Sequence, residues 1–274
     1  MPKTSFNGLR VLSFESRRAA EIAQLIANFG GRPTVAPALR EVPLSSNTEA
    51  LAFASALEGG AFDAVIFLTG VGARALLSVV EARRDAFLGA LRGTKVAARG
   101  PKPVAVLREW QVPVWLTAPG PNTWRELLAS LDGRWSDLPA NPRIAVQEYG
   151  VANPEFLDGL QARGASITRV PVYQWALPED VSPLQAAIRS IVEEEVDVVL
   201  FTTGVQIVHL FEVATAMGLA DRLQAGLRRT VIASIGPTTS EELQRRELPV
   251  SLEASHPKMG VLVTDAAAFT SGPS

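Results

Sequence analysis

The chain has 274 residues, of which 47% are apolar and 20% are charged, so it can bury a large core and is not a disordered protein. Its formal net charge of −2 excludes nucleic-acid binding through bulk positive charge. The absence of cysteine excludes disulfides, a thiolate nucleophile and Cys-type zinc sites. The two histidines, His209 and His256, lie far apart in the sequence, which excludes a His-rich metal centre. No apolar run approaches the roughly 18 residues of a membrane span, so we expect a cytoplasmic protein.

The second half of the chain repeats the first. Asp63–Val71 reads DAVIFLTGV and Asp197–Val205 reads DVVLFTTGV, an offset of 134 residues (197 − 63). The other matching pairs are Gly100-Pro101 with Gly236-Pro237, Pro113-Val114 with Pro249-Val250, Arg10 with Arg143, and Pro37 with Pro171. Because separate segments keep nearly one offset, the sequence predicts a duplicated domain.

Each copy alternates apolar strands with helical patterns. In chain order, the first copy predicts strand 11–14, helix 18–29, strand 33–39, helix 48–57, strand 64–68, helix 73–80, strand 96–98, helix 103–110, strand 114–116 and helix 123–131. The second copy predicts strand 144–147, helix 154–162, strand 167–172, helix 183–194, strand 198–201, helix 205–217, strand 231–235, helix 240–246 and strand 250–252. The sequence therefore predicts an α/β protein with two doubly wound parallel-sheet domains. We expect the Gly/Pro/Ser tail 270–274 to be disordered.

Ligands of open parallel sheets bind at the turns beyond the carboxyl ends of the strands. Several of these turns combine glycine, which lets a ligand approach the backbone, with hydroxyls or basic side chains at a helix N-terminus. Such turns favour a ligand with several carboxylates or phosphates. The predicted binding residues are Ser16, Arg17, Thr69, Gly70, Val71, Gly72, Arg99, Lys102, Tyr149, Gly150, Thr202, Thr203, Gly204, Gly236, Pro237, Thr238 and Thr239.

Other interpretations of these residues remain open. Thr239 or Ser240, followed by Glu242, also fits an ordinary N-cap. A P-loop motif is absent, and the glycines at 70 and 72 lack the third glycine of a dinucleotide fingerprint. We expect His209 to be a packed or surface residue of its helix.

Tyr173 is the candidate for proton chemistry. A phenol with a pKa of about 10 donates a proton or a hydrogen bond and is a poor base at neutral pH. The alternative is that Tyr173 fills an interface between domains.

Taken in their order, these motifs resemble the uroporphyrinogen-III synthase family. The residues that carry the resemblance are Ala233–Thr239 (ASIGPTT), Phe201–Gly204 (FTTG), Phe67–Gly70 (FLTG) and Pro171–Gln174 (PVYQ). The resemblance implies two flavodoxin-like domains, one formed by 1–38 with 176–274 and the other by 41–172. It also implies a two-strand hinge formed by segments 34–43 and 168–178.

The family resemblance implies an activity as well. The implied reaction closes the linear tetrapyrrole hydroxymethylbilane with inversion of ring D and loss of water, in the interdomain cleft, without cofactor or metal. Tyr173 would assist departure of the hydroxyl group, and the polar turns would hold the acetate and propionate side chains. At Gly100-Pro101 the second copy's Thr238 is replaced by Lys102, which offers charge in place of a hydroxyl.

The expected partners are the small-molecule substrate and, transiently, the preceding enzyme of the pathway, with no nucleic acid and no membrane. We expect a monomer. One alternative is a noncatalytic, two-domain cytosolic binder of a small polyanion. Another is a transferase that binds a nucleotide diphosphate, which the absence of an Asp-x-Asp metal motif disfavours.

Overall fold

The computed structural model describes residues 4–43, 47–148, 150 and 153–272, with the backbone alone at positions 43 and 173. The chain divides into two compact units. Unit 1 contains the residues up to Arg40 together with those from Ala176 onward, and unit 2 is Glu41–Trp175. Each unit is built on a five-stranded parallel sheet, which confirms the predicted α/β fold with two doubly wound sheets.

Helices follow most strands along the chain. The strands are β1 (Arg10–Ser13), β2 (Arg32–Val35), β3 (Arg40–Pro43), β4 (Ala64–Phe67), β5 (Lys95–Ala98), β6 (Leu116–Thr117), β7 (Arg143–Gln147), β8 (Ser166–Val170), β9 (Tyr173–Ala176), β10 (Val198–Phe201), β11 (Val231–Ser234) and β12 (Leu252–Glu253). The helices are α1 (Ala19–Asn28), α2 (Thr48–Glu58), α3 (Gly70–Val79), α4 (Arg84–Arg92), α5 (Pro101–Glu109), α6 (Trp124–Asp132), α7 (Pro154–Gln161), α8 (Ser182–Val192), α9 (Gly204–Ala216), α10 (Ala220–Leu227), α11 (Pro237–Arg245) and α12 (Met259–Ser271). Short 3₁₀ helices cover Glu81–Arg83 and Trp135–Asp137.

The sheet of unit 1 has the strand order β12-β11-β10-β1-β2. Neighbouring strands run parallel, with Val11 opposite Val198 and Val198 opposite Val231. Counted along the chain within the unit, this is the order 2-1-3-4-5 of flavodoxin-like folds. The first two strands come from the amino-terminal segment and the other three from the carboxyl-terminal segment, so the unit is discontinuous in sequence.

The sheet of unit 2 has the order β6-β5-β4-β7-β8, also parallel throughout. It has the same layout as unit 1 when β7 is counted first, although β4 to β6 precede β7 along the chain. β3 and β9 pair with each other in a separate two-stranded sheet. The predicted domain boundaries at 38, 41, 172 and 176 and the hinge role of these segments stay predictions.

The cores form because both faces of each central strand are apolar. In β4, Val65 and Phe67 pack into the cluster on one face of the sheet, whereas Ala64 and Ile66 pack into the cluster on the other. Successive side chains of a strand point to opposite faces, so a strand covered by helices on both sides needs a continuous apolar run. In unit 1, Phe14 stacks on Phe201 with ring centroids 5.2 Å apart.

Three helices begin two or three residues earlier than the sequence predicted. α3 begins at Gly70, not at 73, because the Thr69 hydroxyl oxygen caps it by accepting from the Gly72 N–H at 3.0 Å. α5 begins at Pro101 and α11 at Pro237, because proline fits the first helical position, where its missing N–H costs no helical hydrogen bond.

Other differences lie outside these turns. The predicted strand 33–39 ends at Val35, and the helices α4, α10 and α12 were not predicted. The prediction of a disordered tail from residue 270 is wrong for Thr270 and Ser271, which belong to α12. The Ser271 hydroxyl donates to the Ser5 carbonyl oxygen at 2.8 Å, which ties the helix to the amino-terminal segment. Residues 273 and 274 lie outside the described residues. Within the described chain, no helix is both long and apolar enough to cross a membrane.

Candidate active site

Those of the predicted binding residues that the structure describes lie at the carboxyl edges of the two sheets. In each sheet, the chain reverses its direction of winding between two neighbouring strands, β1 and β10 in unit 1 and β4 and β7 in unit 2. Ligands of open α/β sheets bind beyond the carboxyl ends of strands at such a switch point. The turns that follow these strands are therefore the candidate binding positions in each unit.

At the switch point of unit 1, two turns meet through a hydrogen bond. The Thr202 hydroxyl, after β10, donates to Glu15 Oε2, after β1, at 2.7 Å. Ser16 is half-buried, and its hydroxyl oxygen accepts from the Leu39 N–H at 3.4 Å. Thr203 is half-buried and caps α9 only through its extended backbone, since its side chain makes no capping hydrogen bond.

A buried amide completes this network. Gln206, only 1% exposed, accepts through Oε1 from the Thr202 N–H at 2.8 Å and donates through Nε2 to the Thr202 hydroxyl oxygen at 2.9 Å. Both donors of Thr202 are therefore engaged within unit 1. The sequence prediction of Thr202 as a carboxylate ligand did not foresee Glu15, because residues 187 positions apart meet only through the pairing of β1 with β10. It also missed the local bonds to Gln206, which lies four residues further along the chain.

The start of α11 lies in the segment Ala233–Thr239, one of those on which the predicted family resemblance rests. Gly236 precedes the helix and Pro237 opens it. Thr238 is exposed, but the Thr239 side chain is buried. The interpretation of Thr239 or Ser240 as the N-cap is wrong, because both lie inside α11. The Ser240 hydroxyl bonds to Glu253 Oε2 at 2.6 Å instead, which ties α11 to β12.

In unit 2, the residues 69–72 form the first turn of α3. Thr69, Gly70 and Gly72 are buried, whereas Val71 is 42% exposed. The Gly72 N–H is used by the Thr69 cap. The exposed part of this turn is thus the backbone and side chain around Val71.

Gln147 packs against this turn, and the sequence analysis did not predict it as part of the site. Its side chain is fully buried, and its Oε1 accepts from the Thr69 N–H at 3.4 Å. Its amide lies so close to Gly72 that a Cβ on that glycine would collide with it. The two units thus use a buried glutamine at the same turn, from β7 in unit 2 and from α9 in unit 1.

The glycine of each Thr-Gly turn brings two helix starts together. A Cβ built on Gly70 would lie 2.9 Å from the Lys102 carbonyl oxygen, and one on Gly204 would lie 3.6 Å from the Thr238 carbonyl oxygen. This contact places Lys102, which is exposed, beside the turn 69–72 in unit 2. Arg99 is half-buried at the same edge, and its N–H donates to the Phe67 carbonyl oxygen at 3.0 Å.

The remaining predicted residues are described in part. Gly150 adopts a φ of +62°, and the indole ring of Trp175 packs against it. Tyr173 begins β9, and Arg17 is exposed after β1. The side chain of Tyr173 and all of Tyr149 lie outside the described residues.

The acidic residues at the two switch points, Glu15 and Glu148, differ in whether a basic side chain forms an ion pair with them. Glu148, after β7, is 6% exposed and accepts from Arg169 Nε at 2.6 Å and from its Nη2 at 3.0 Å. This pairing raises the pKa of Arg169, through the hydrogen bond and then the charge of Glu148. Glu15 has no ion-pair partner in the described part of the chain. Among those same residues, no group of three or more His, Cys, Asp or Glu side chains is arranged to hold a metal ion.

A family model for uroporphyrinogen-III synthase HemD matches residues 20–264. The chain belongs to the uroporphyrinogen-III synthase family. A putative uroporphyrinogen-III synthase of Methanothermobacter thermautotrophicus is 29% identical over 237 residues, covering 83% of this chain and 85% of that protein. An uncharacterised Bacillus subtilis protein, YjjA, is 30% identical over 266 residues, covering 96% of each chain.

Solved uroporphyrinogen-III synthases share the fold. A mutant of the Thermus thermophilus enzyme superposes with a TM-score of 0.76 at 24% identity, covering 96% of this chain and 98% of that one. The Helicobacter pylori enzyme superposes with a TM-score of 0.50 at 15% identity, covering 94% of this chain and 98% of that one. Uroporphyrinogen-III synthase membership connects the chain to tetrapyrrole and heme biosynthesis, and the predicted family resemblance is confirmed.

Proposed function

We propose that this chain is a cyclising lyase that converts hydroxymethylbilane to uroporphyrinogen III, with inversion of ring D and loss of water. The observation that carries the proposal is the family-model match across residues 20–264. The polar turns at the carboxyl edges of both sheets support it, because a substrate with acetate and propionate groups on every ring needs several separate anion ligands. No cofactor or metal takes part in the proposed reaction.

The protein has little covalent chemistry to perform in this reaction. The C–O bond of the hydroxymethyl group breaks, the oxygen leaves with the bonding electrons and a proton as water, and the pyrrole that remains carries a positive charge. The substituted carbon of ring D then attacks, and a spiro intermediate rearranges so that ring D is inverted. The ring carbon that forms the closing bond then loses its proton, which restores a neutral pyrrole and replaces the proton that left in the water. Ring closure without inversion occurs spontaneously and competes with this reaction. The way in which the protein positions the two ends of the linear tetrapyrrole therefore determines the product as well as the rate.

The proposed roles follow the predicted site. Tyr173 donates a proton or a hydrogen bond to the departing hydroxyl group. The carboxylates of the substrate bind to the exposed parts of the turns, from both domains, with the substrate in the cleft between them. The proposed carboxylate ligands are Ser16, Arg17, Thr69–Gly72, Arg99, Lys102, Tyr149, Gly150, Thr203, Gly204 and Gly236–Thr239.

The structure modifies the expected contribution of three residues. Thr238 is exposed and can donate its hydroxyl, whereas the Thr239 side chain is buried and its N–H already donates to the Gly236 carbonyl oxygen at 3.0 Å, which makes Thr239 the weakest of the proposed carboxylate ligands. Thr202 has both donors engaged by Glu15 and Gln206, so we do not propose it as a carboxylate ligand. In the proposal the chain acts in the cytoplasm and meets the preceding pathway enzyme only transiently.

A product assay tests the proposal. Purified protein is supplied with hydroxymethylbilane, the product is oxidised, and the uroporphyrin isomers I and III are separated by chromatography. We expect isomer III with active protein, and isomer I alone in a control with heat-inactivated protein. If excess native protein also yields only isomer I, the synthase proposal is wrong and a noncatalytic polyanion binder becomes the better interpretation.

A further inference from the structure

Three side chains at the unit 1 switch point form a directed hydrogen-bond chain. The Thr202 N–H can only donate, so the Gln206 atom that faces it at 2.8 Å must be the amide oxygen. The amide nitrogen therefore faces the Thr202 hydroxyl oxygen, to which it donates at 2.9 Å. The hydroxyl proton is left for Glu15 Oε2, at 2.7 Å. The Thr202 N–H thus fixes the direction of these hydrogen bonds, which run from Gln206 as donor through Thr202 to Glu15 as acceptor.

This arrangement engages both donors of Thr202 and leaves an acceptor at the outward end of the hydrogen-bond network. Thr202 has no free N–H or O–H to offer, and the outward end of the chain is a half-buried carboxylate. The Arg18 N–H donates to Glu15 Oε1 at 3.3 Å, but the Arg18 guanidinium binds Glu21. Within the described residues Glu15 thus forms no ion pair, and it acts on the Arg18 guanidinium only as one of the smaller causes that raise the pKa of Arg18. A carboxylate in this condition attracts N–H donors and positive charge, and it repels carboxylates.

The internal repeat shows that the fold does not require this hydrogen-bond network. At the equivalent positions of unit 2, Leu68 stands for Thr202, Gly72 for Gln206 and Glu148 for Glu15. Glu148 is buried and neutralised by the fork of Arg169. Unit 2 builds the same parallel sheet without the Thr–Glu pair. A structural need shared by the two copies therefore does not explain it.

We propose that Glu15, oriented by Thr202 and Gln206, binds pyrrole N–H groups of the linear tetrapyrrole and the positive charge that develops on the pyrrole when the hydroxyl group leaves. This inference rests on the proposed function and adds to it a binding site of opposite polarity. The substrate carries four pyrrole N–H donors besides its carboxylates. Glu15 then serves the ring system, while the Gly/Thr turns serve the side-chain carboxylates. Thr202 and Gln206 act as positioning residues.

Glu15→Gln tests the inference, since its amide oxygen can still accept from Thr202 while the negative charge is removed. We expect the kcat of isomer III formation to fall by about tenfold or more, the scale of a lost hydrogen bond to a charged group, with no decrease in KM. If Glu15 only repels the polyanionic substrate, the variant will instead show a lower KM and an unchanged kcat. That second result would overturn the inference.

The control is Glu193→Gln, which removes the same charge from an exposed position at the end of α8, and we expect it to change kcat and KM by less than about twofold. Thr202→Val should lower kcat, whereas Thr202→Ser, which keeps the hydroxyl, should retain it. Equal kcat in these two variants would contradict the positioning role. Circular dichroism checks that each variant is folded, and the Thr202 pair supplies a second test if Glu15→Gln is not.

The two proposals fail in different ways. If the wild type yields isomer III and Glu15→Gln has normal kinetics, this inference alone is refuted. If the wild type yields only isomer I, the proposed function is refuted.

Discussion

Arg10 and Asp197 form a three-bond pair at the amino ends of the neighbouring strands β1 and β10. Asp197 accepts from the Arg10 N–H at 2.7 Å, from its Nε at 3.0 Å and from its Nη2 at 2.8 Å. Unit 2 repeats the pair with Arg143 and Asp63, where the corresponding distances are 2.8, 3.3 and 3.4 Å. The pair aligns the two strands at the switch point of each sheet, on the edge opposite to the candidate site.

The pair predicts a pH-dependent contribution to stability. The hydrogen bonds from the Arg10 side chain lower the pKa of Asp197 in the folded chain. A lowered folded pKa stabilises the protein above the unfolded pKa of about 4, and this stabilisation is lost as the pH falls through the folded value. We expect Asp197→Asn to lower the free energy of unfolding by about 1 kcal/mol at pH 7, after allowance for solvent screening. Urea unfolding at pH 7 and pH 3 measures it.

The difference between wild type and Asp197→Asn should shrink at pH 3. Asp63→Asn is the matched variant in unit 2, where the side-chain hydrogen bonds are longer, and we expect a smaller effect from it. A difference that is the same at both pH values would show that the charge of Asp197 does not cause it.

Gly70→Ala should destabilise unit 2. Its Cβ would lie 2.9 Å from the Lys102 carbonyl oxygen, a backbone atom that can move only with the start of α5. We expect a loss of about 1–3 kcal/mol, the usual scale for overpacking. Gly89→Ala is the control, because Gly89 lies exposed inside α4 with no atom within 4 Å of the new Cβ. There alanine should stabilise by about 0.5–1 kcal/mol. Thermal or urea unfolding that ranks the two variants equally would contradict the packing role of Gly70.

Gly72 and Gln147 should be energetically coupled. A methyl group at Gly72 collides with the buried Gln147 amide, so Gly72→Ala should destabilise, by about 1–3 kcal/mol. Gln147→Ala makes room for that methyl group, and the double variant should therefore lose less than the sum of the single variants. A double-mutant cycle by urea unfolding measures this coupling. Strict additivity would show that the amide moves away without cost.

Tyr173→Phe should slow turnover without abolishing it. Removal of the phenolic hydroxyl takes away the proposed proton donor, while the shape that guides ring closure remains. We expect kcat to fall by up to about a hundredfold, the lower part of the range for general-acid catalysis. Thr69→Ala, compared in the same isomer assay, should lose less turnover, because Thr69 is proposed only to hold substrate. Unchanged kinetics of Tyr173→Phe would remove the proton-donor role.

The sequence by itself determined the fold class, the duplication and the location of the polar turns. Runs such as Ala64–Phe67 and Val198–Phe201 are apolar at every position, and only a strand buried on both faces needs such a run. Helix starts were placed less well, as at Gly70 and Pro237, because a single cap or proline moves the boundary by a turn. These properties are local, so neighbouring residues suffice to predict them.

Only the tertiary structure decided which turns meet and what each side chain offers. Glu15, Thr202 and Gln206 lie in two segments that the order of the strands brings together, and the same holds for Gln147 and Gly72. From the sequence alone, a threonine in a turn is interpreted as a hydrogen-bond donor to an anion. The hydrogen bonds of Thr202 are already taken by its neighbours, because a buried amide and a carboxylate must satisfy their own hydrogen-bonding capacity. Strand pairing across most of the chain, which no local pattern encodes, therefore determines the polarity of the site.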